Sequence, residues 1–110
     1  LKLNKSTYKF VNKDVFKLMS QNTIFINTSR GEVVDEIELY NRLRNKKLLG
    51  AALDVLDSEH LINQNKKNKL IEYSKKHDNL IITPHMAGLT YESESKAGMF
   101  AINKINSLFK

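Results

Sequence analysis

The sequence predicts an α/β fold built on a parallel β-sheet, with an additional helix at the C-terminal end. Three short apolar runs, at 23–26, 49–55 and 80–82, have the length and continuity of buried strands. The segments between them have helical spacing, so strands and helices alternate along the chain. Because this alternation requires crossover connections, neighbouring strands should run parallel to each other.

The first two predicted helices each begin at a capping residue. Asn12 is suited to cap a short helix whose apolar positions are Val15, Phe16 and Met19. Asp35 is suited to cap a second helix, in which Glu38 would complete a capping box. The apolar positions of this second helix are Ile37, Tyr40 and Leu43, and its basic end is at Lys46 and Lys47.

Two further helices are predicted in the second half of the chain. The segment 61–77 is polar at first and then carries Leu70, Ile71 and Tyr73, which indicates a loop followed by a short helix. Pro84 marks a break, and Thr90 is suited to cap the last helix, with acidic residues in its first turn. The apolar residues of that helix recur three and four positions apart and predict one apolar face: Ala97, Phe100, Ala101, Ile105 and Leu108.

The composition limits the class of protein. A chain of 110 residues is one small domain or a piece of a larger one, and because Leu1 opens in the middle of a pattern we expect a cut chain. The absence of cysteine excludes disulfides, thiolate metal sites and cysteine nucleophiles, and it suits a reducing cytoplasm. No apolar run approaches the roughly 18 to 20 residues of a membrane span, and no signal-peptide pattern is present. We therefore expect a soluble cytoplasmic protein without a membrane partner.

The net charge of +6 raises the question of nucleic-acid binding. The positive charges are nearly all lysines spread along the chain, without interleaved aromatic residues or a known nucleic-acid motif. We therefore expect no nucleic-acid partner.

Three chemically active side chains follow the three predicted strands. Arg30 follows the first strand, Glu59 follows the second and His85 follows the third. Because ligands of open parallel sheets bind outside the carboxyl ends of the strands, these three side chains are expected on one rim of the sheet.

Each of these residues also has an ordinary structural explanation. Arg30 could be a solvated turn residue beside Gly31, whose permissive backbone suits a tight turn. Glu59 lies in a polar run typical of a surface, and His85 could be a structural histidine after Pro84. The other two histidines, His60 and His77, have polar surroundings and no assigned role, and three separated histidines do not resemble a zinc site. No metal site is predicted.

An arginine, a carboxylate and a histidine together suit the reduction of a carbonyl that lies next to a carboxylate. Arg30 could hold the substrate carboxylate by paired hydrogen bonds and polarise the carbonyl. His85 could protonate the carbonyl oxygen as hydride arrives, while Glu59 holds the ring and favours its protonated form. Asp54 ends an apolar run, where a carboxylate needs a partner, and it could face a nicotinamide carboxamide.

Three motifs carry a specific resemblance to a known family. INTSRGEVVDEIELYNRL, then GAALDV with Glu59 five residues after Asp54, then TPHMAGLT, resemble in order and spacing the D-isomer-specific 2-hydroxyacid dehydrogenases. The opening segment, LKLNKSTYKFVNKDVFKLM, looks like the part of that family leading into the same region. The segment LIEYSKKHDNLIITPHMAG most resembles its phosphoglycerate-dehydrogenase-like members.

The resemblance implies a role for each candidate residue. Arg30 would bind and orient the 2-keto acid, His85 would donate and accept the proton, and Glu59 would be the partner of His85. The nicotinamide end of NAD, with NADP as the alternative cofactor, would contact Asp54 and the backbone around Thr28, Ala87 and Gly88. The family also implies a homodimer.

The resemblance further implies a division of the chain. Residues 1–90 would be the C-terminal half of a Rossmann-like dinucleotide-binding domain, and residues 91–110 a helix leading back to a substrate-binding domain. No GxGxxG occurs, so the loop that would cradle the pyrophosphate is absent, and Lys2 stands where the family usually has proline. We therefore expect the isolated chain to be an inactive fragment. The competing interpretation is a non-catalytic basic interaction module that keeps the three residues as relics.

Overall fold

The computed structural model of the chain describes residues 1–57, 59 and 67–108. The predicted loop from Leu61 and the histidine His60 lie outside the described residues. The side chains of Ile105 and Leu108, which were assigned to the apolar face of the last helix, lie outside them as well.

Three parallel strands form one sheet in the order β1-β2-β3. The elements in chain order are α1 (Lys13–Lys17), β1 (Ile24–Asn27), a 3-10 turn (Gly31–Val33), α2 (Glu36–Arg44), β2 (Gly50–Leu53), α3 (Lys69–Ser74), β3 (Leu80–Ile82) and α4 (Tyr91–Leu108). Both strand pairs are parallel. The predicted parallel α/β fold with a C-terminal helix is confirmed.

The second strand is shorter than the apolar run that predicted it. Leu49 is 56% exposed, and the chain leaves the sheet after Leu53. Val55, the last residue of the run, is buried in the loop after the strand and not in the sheet, as is Leu56 beyond it.

The sheet has one covered face and one open face, so the prediction of fully buried strands was wrong. In register with each other, Phe25, Ala51 and Leu80 lie on the covered face. On the opposite face, the side chains of Ile24, Ile26 and Ile81 are 59%, 66% and 62% exposed. A short continuous apolar run does not reveal this, because isoleucines occupy both faces of the strands.

The helices begin at the predicted caps. The side chain of Asn12 accepts hydrogen bonds from the backbone N–H groups of Asp14 and Val15, and Asp35 accepts from those of Ile37 and Glu38. The reciprocal half of the capping box was wrong, because the Glu38 carboxylate instead pairs with Arg42 at 2.8 Å. Asn68 caps α3 in the same way as the first two caps.

The buried side of α2 agrees with the predicted one at Tyr40 and Leu43, which pack in or against the core, but not at Ile37. Leu39 and Leu43 are fully buried, whereas Ile37 is 63% exposed. The helix ends at Arg44, and Lys46 beyond it has a left-handed backbone with φ of 53°. The fully buried side chains at the centre of the core are Phe16, Leu39, Leu43, Leu48 and Leu70.

Aromatic rings join α2 to α3. The ring of Tyr73, on α3, meets the ring of Tyr40, on α2, edge to face at 5.7 Å. His77 stacks on the other side of Tyr73 with ring centroids 4.0 Å apart. Tyr73 is thereby enclosed and is only 9% exposed.

The last helix begins as predicted, since the Thr90 hydroxyl accepts a hydrogen bond from the Ser93 N–H. Its apolar side chains remain exposed, including Phe100 at 73%. None of the helices in the described residues is long and apolar enough to cross a membrane.

Candidate active site

Arg30 is presented by a loop that the last residue of β1 shapes. Asn27 is buried, and its Oδ1 accepts hydrogen bonds from the N–H and the hydroxyl of Ser29. Its Nδ2 donates to the carbonyl oxygen of Arg30 at 3.0 Å. The guanidinium of Arg30 is exposed, and Nη1 donates to the Ser29 carbonyl oxygen at 2.6 Å.

Gly31 is required for a close backbone contact, not for the tight turn that the sequence suggested. No glycine of the described chain has positive φ. A Cβ built on Gly31 would lie 1.9 Å from the carbonyl carbon of Leu56 and 2.2 Å from the nitrogen of Asp57. The absence of a side chain lets the Arg30 loop touch the loop that leads to Glu59.

Glu59 and His85 form a hydrogen-bonded pair. Glu59 Oε2 lies 2.8 Å from His85 Nδ1, and Glu59 Oε1 accepts from the Leu56 N–H at 2.6 Å. Because an ionised carboxylate can only accept, Nδ1 is the donor of this bond, which leaves Nε2 for exchange with a ligand. His85 has a left-handed backbone with φ of 54°, a conformation that side chains rarely adopt and that clusters at functional sites.

Asp54 holds the loop that carries His85. The carboxylate is buried, and Oδ1 accepts from the Thr83 hydroxyl at 2.5 Å and from the Met86 N–H at 2.9 Å. Oδ2 accepts from the Ala87 N–H at 2.8 Å. The Thr83 hydrogen bond is the main cause that lowers the pKa of Asp54 below its ordinary value. Asp54 thus fixes the side chain of Thr83, two residues before His85, and the backbone N–H groups of the two residues that follow His85.

The predicted residues other than Gly88 line cavities near the carboxyl ends of the strands. Glu59 and His85 share one of about 500 Å³ with residues of α3, and the other two cavities involve the remaining candidates. Arg30, Glu59 and His85 together line one cavity of about 220 Å³. A second cavity of about 300 Å³ is lined by Thr28, Asp54 and Ala87. The remaining lining of the second cavity includes Ile26, Leu53, Ile81 and Met86. Gly88 lines none of these three cavities.

Two residues that shape the site were not singled out in the sequence. Asn27 occupies a buried position at the end of a strand, and Thr83 completes the hydrogen bonding of Asp54. A polar residue that ends an apolar run is the signal that could have identified Asn27. Among the described residues, no group of three or more histidine, cysteine or acidic side chains could hold a metal ion.

Comparison with known proteins identifies the family of the chain. Residues 1–87 match the model of the D-isomer specific 2-hydroxyacid dehydrogenase, NAD binding domain. The D-3-phosphoglycerate dehydrogenase of Archaeoglobus fulgidus is 34% identical over 106 residues, which are 96% of this chain and 19% of that protein. The glyoxylate reductase of Korarchaeum cryptofilum is 34% identical over 104 residues, 94% of this chain and 29% of that protein.

Solved structures give the same result. The D-lactate dehydrogenase of Aquifex aeolicus, complexed with NAD and lactic acid, matches with a TM-score of 0.75 and 27% identity over 99% of this chain and 35% of that one. An acyclic imino acid reductase in complex with NADPH and D-Arg matches with a TM-score of 0.76 and 28% identity over 99% of this chain and 32% of that one. The chain thus spans about a third or less of these proteins. Because the family model covers most of its residues, the chain belongs to the D-isomer specific 2-hydroxyacid dehydrogenase family and corresponds to part of its NAD-binding domain.

Proposed function

We propose that the chain supplies the acid–base side of an NAD-dependent active site that interconverts a 2-keto acid and a D-2-hydroxy acid. The observation that carries this proposal is the cavity shared by Arg30, Glu59 and His85. Reduction of a 2-keto acid needs a cationic side chain that binds the substrate carboxylate and an acid that protonates the carbonyl oxygen. Arg30 and the His85 that is paired with Glu59 supply these two groups in one cavity.

Arg30 binds the substrate in this proposal. Its exposed guanidinium offers paired N–H donors that match the two oxygens of a carboxylate. The carbonyl next to that carboxylate is then held in the cavity beside His85. Binding through the carboxylate selects 2-keto acids and orients the carbonyl.

His85 is the proton donor in the direction of reduction. The Nε2 proton of the imidazolium passes to the carbonyl oxygen as the carbonyl carbon receives hydride, and His85 is left neutral. Glu59 holds Nδ1 at 2.8 Å, which keeps Nε2 as the nitrogen that exchanges the proton. In the direction of oxidation, Nε2 accepts the proton from the hydroxyl group.

The second cavity fits the nicotinamide end of NAD, or of NADP as the alternative. Its apolar lining suits the faces of an aromatic ring, and the carboxylate of Asp54 and the backbone near Thr28 and Ala87 supply polar partners for a carboxamide. Bound in reduced form, the cofactor supplies the hydride. We propose that Gly88 contributes backbone beside this cavity, and that residues outside this chain hold the pyrophosphate, since no GxGxxG occurs in it.

The remaining proposals concern the whole protein. We propose that residues 91–110 lead back to a substrate-binding domain, because α4 exposes an apolar face that includes Phe100. We also propose that the protein is a cytoplasmic homodimer, as the resemblance to these metabolic dehydrogenases implies.

Oxidation of NADH by the longest protein that the gene encodes tests the proposed function. We would follow NADH absorbance with a panel of 2-keto acids that includes 3-phosphohydroxypyruvate and glyoxylate, and compare Arg30→Ala. Turnover with one acid that is lost in Arg30→Ala is the expected result. NADH binding without turnover of any acid would contradict the catalytic proposal, and absence of NADH binding would favour the interaction module.

A further inference from the structure

We propose that Glu36, in the first turn of α2, is a positioning residue that holds Glu59 against His85. This inference rests on the proposed function, because it assigns the support of the same acid–base pair. Glu36 lies outside the cavity that Arg30, Glu59 and His85 line.

The carboxylate of Glu36 accepts hydrogen bonds from one residue that precedes Glu59 in the sequence and from one that follows it. Oε1 accepts from the backbone N–H of Asp57 at 2.7 Å, and Oε2 accepts from Nδ2 of Asn68 at 3.1 Å. Asp57 precedes Glu59 by two residues, and Asn68 is the cap of α3. One side chain of α2 therefore ties both flanks of the segment that carries Glu59 to the core.

The hydrogen bond to Asp57 acts next to the anchor of Glu59 itself. Glu59 Oε1 accepts from the Leu56 N–H at 2.6 Å, and the peptide that joins Leu56 to Asp57 packs against Gly31. This peptide is consequently fixed by Gly31 on one side and by Glu36 through the Asp57 N–H. When the Glu36 carboxylate is removed, the Asp57 N–H loses this acceptor, and the anchor of Glu59 is held by fewer contacts.

The placement of Glu36 is unfavourable for an acid except for these hydrogen bonds. The side chain is partly buried, and burial is the main cause that raises its pKa above the ordinary value. The nearby carboxylates of Asp57 and Glu59 raise its pKa further. Glu38, in the same turn of α2, instead pairs with the cation of Arg42. The Glu36 carboxylate therefore lies near two other acids without a cation among its hydrogen-bond donors, the Asp57 N–H and Asn68 Nδ2. We infer that its role is to position the segment that carries Glu59.

The protonated nitrogen of the His85 ring tests the inference without any turnover. At a pH where the ring is neutral, the Glu59 carboxylate imposes a proton on Nδ1, whereas a free imidazole carries it mainly on Nε2. Nitrogen chemical shifts of the ring, measured by NMR, distinguish the two forms. We would measure the longest protein that the gene encodes and its variants Glu36→Ala, Glu36→Gln and Glu59→Gln.

The matched control is Glu38→Ala, which truncates the same side chain on the same helix and breaks an ion pair that does not reach the site. We expect Glu36→Ala to move the ring toward the Nε2–H form, as Glu59→Gln does, and Glu38→Ala to leave it unchanged. Glu36→Gln keeps an oxygen for the Asp57 N–H and should retain most of the Nδ1–H form. The inference would be overturned if His85 keeps its Nδ1–H form in Glu36→Ala, or if it moves toward the Nε2–H form as much in Glu38→Ala as in Glu36→Ala.

Kinetics then separate this inference from the proposed function. In an active protein, Glu36→Ala should lower kcat about tenfold or more, since misplacement of a catalytic group costs rate, while NADH affinity stays within about twofold. If the unaltered protein reduces no keto acid, the proposed function fails, and the ring nitrogen still decides whether Glu36 positions the pair. If Glu36→Ala does not fold, Glu36→Gln is compared with Glu59→Gln instead. A shift of the His85 proton from Nδ1 to Nε2 that is as large in Glu36→Gln as in Glu59→Gln would contradict the role of the Asp57 hydrogen bond.

Discussion

Gly31→Ala should lower activity, because the added methyl group would force the Arg30 loop away from the loop that leads to Glu59. The added Cβ would lie 1.9 Å from the carbonyl carbon and 2.2 Å from the carbonyl oxygen of Leu56, and real Cβ atoms essentially never come closer than 3.0 Å to another atom. The difference means that the two loops must separate by about 1.1 Å or more. Backbone atoms on both sides of the contact prevent relief by a side-chain rotation.

The separation has two calculable effects. Overpacking of a buried contact typically costs about 1 to 3 kcal/mol of stability. Arg30 is next to Gly31, and the displaced peptide of Leu56 anchors Glu59, so the distance between Arg30 and Glu59 changes as well. A misplacement of about 1 Å can cost about 100-fold in rate, so we expect kcat/KM to fall by about that factor.

The matched control for this substitution is Gly50→Ala, at the amino end of the sheet. A Cβ there would lie 3.0 Å from the Asn79 carbonyl oxygen, which is tight but far less severe. We would measure thermal unfolding and NADH-dependent turnover of both variants in the longest protein that the gene encodes. Gly50→Ala should lose some stability and keep its turnover. A folded Gly31→Ala protein with turnover within about twofold of the unaltered protein would refute the reasoning, because about 1 Å of misplacement should cost far more.

Three further substitutions test separate contacts. Arg30→Lys keeps the charge but loses the paired donors, so we expect the KM for the keto acid to rise about tenfold or more, and an unchanged KM would argue against carboxylate binding by Arg30. Asp54→Asn turns an NH2 group toward the N–H of Met86 or of Ala87, and we expect NADH affinity, measured by fluorescence titration, to weaken about tenfold. Thr83→Val removes the main cause of the lowered pKa of Asp54. A lowered pKa in the folded state stabilises the fold at pH values above the ordinary pKa of aspartate, and this stabilisation is lost as the pH falls through the lowered pKa. Because the pKa of Asp54 is lowered less in Thr83→Val, acid unfolding of this variant should begin at a higher pH. An unchanged acid transition would contradict this account.

Local patterns predicted the elements of the fold well because they depend on neighbours in sequence. Asn12, Asp35 and Thr90 cap helices as expected, since a cap needs only the N–H groups two or three residues ahead. The face that each residue presents was less predictable. Ile37 and Leu39 are both apolar and near each other in α2, and only the packing of the helix into the core, which contains Leu39 and not Ile37, decides that Leu39 is the buried one.

The candidate site shows the same limit at longer range. The position of each candidate after a strand followed from the sequence, because parallel strands end on one rim. The reason for Gly31 did not, since its contact is with Leu56 and Asp57, far along the chain. The same holds for the hydrogen bonds of Asp54 to Thr83 and of Glu36 to Asn68, which join residues 29 and 32 positions apart. Sequence patterns carry no signal for such contacts between loops.

The enclosed ring of Tyr73 gives the protein an internal optical probe. The chain has four tyrosines and no tryptophan. Tyr8 and Tyr91 are 54% and 84% exposed, whereas Tyr73 is held between Tyr40 and His77. A fixed asymmetric environment gives an aromatic ring its near-ultraviolet circular dichroism, so this signal should come mainly from Tyr73. Its loss would report separation of α2 from α3 independently of any event at the rim of the sheet.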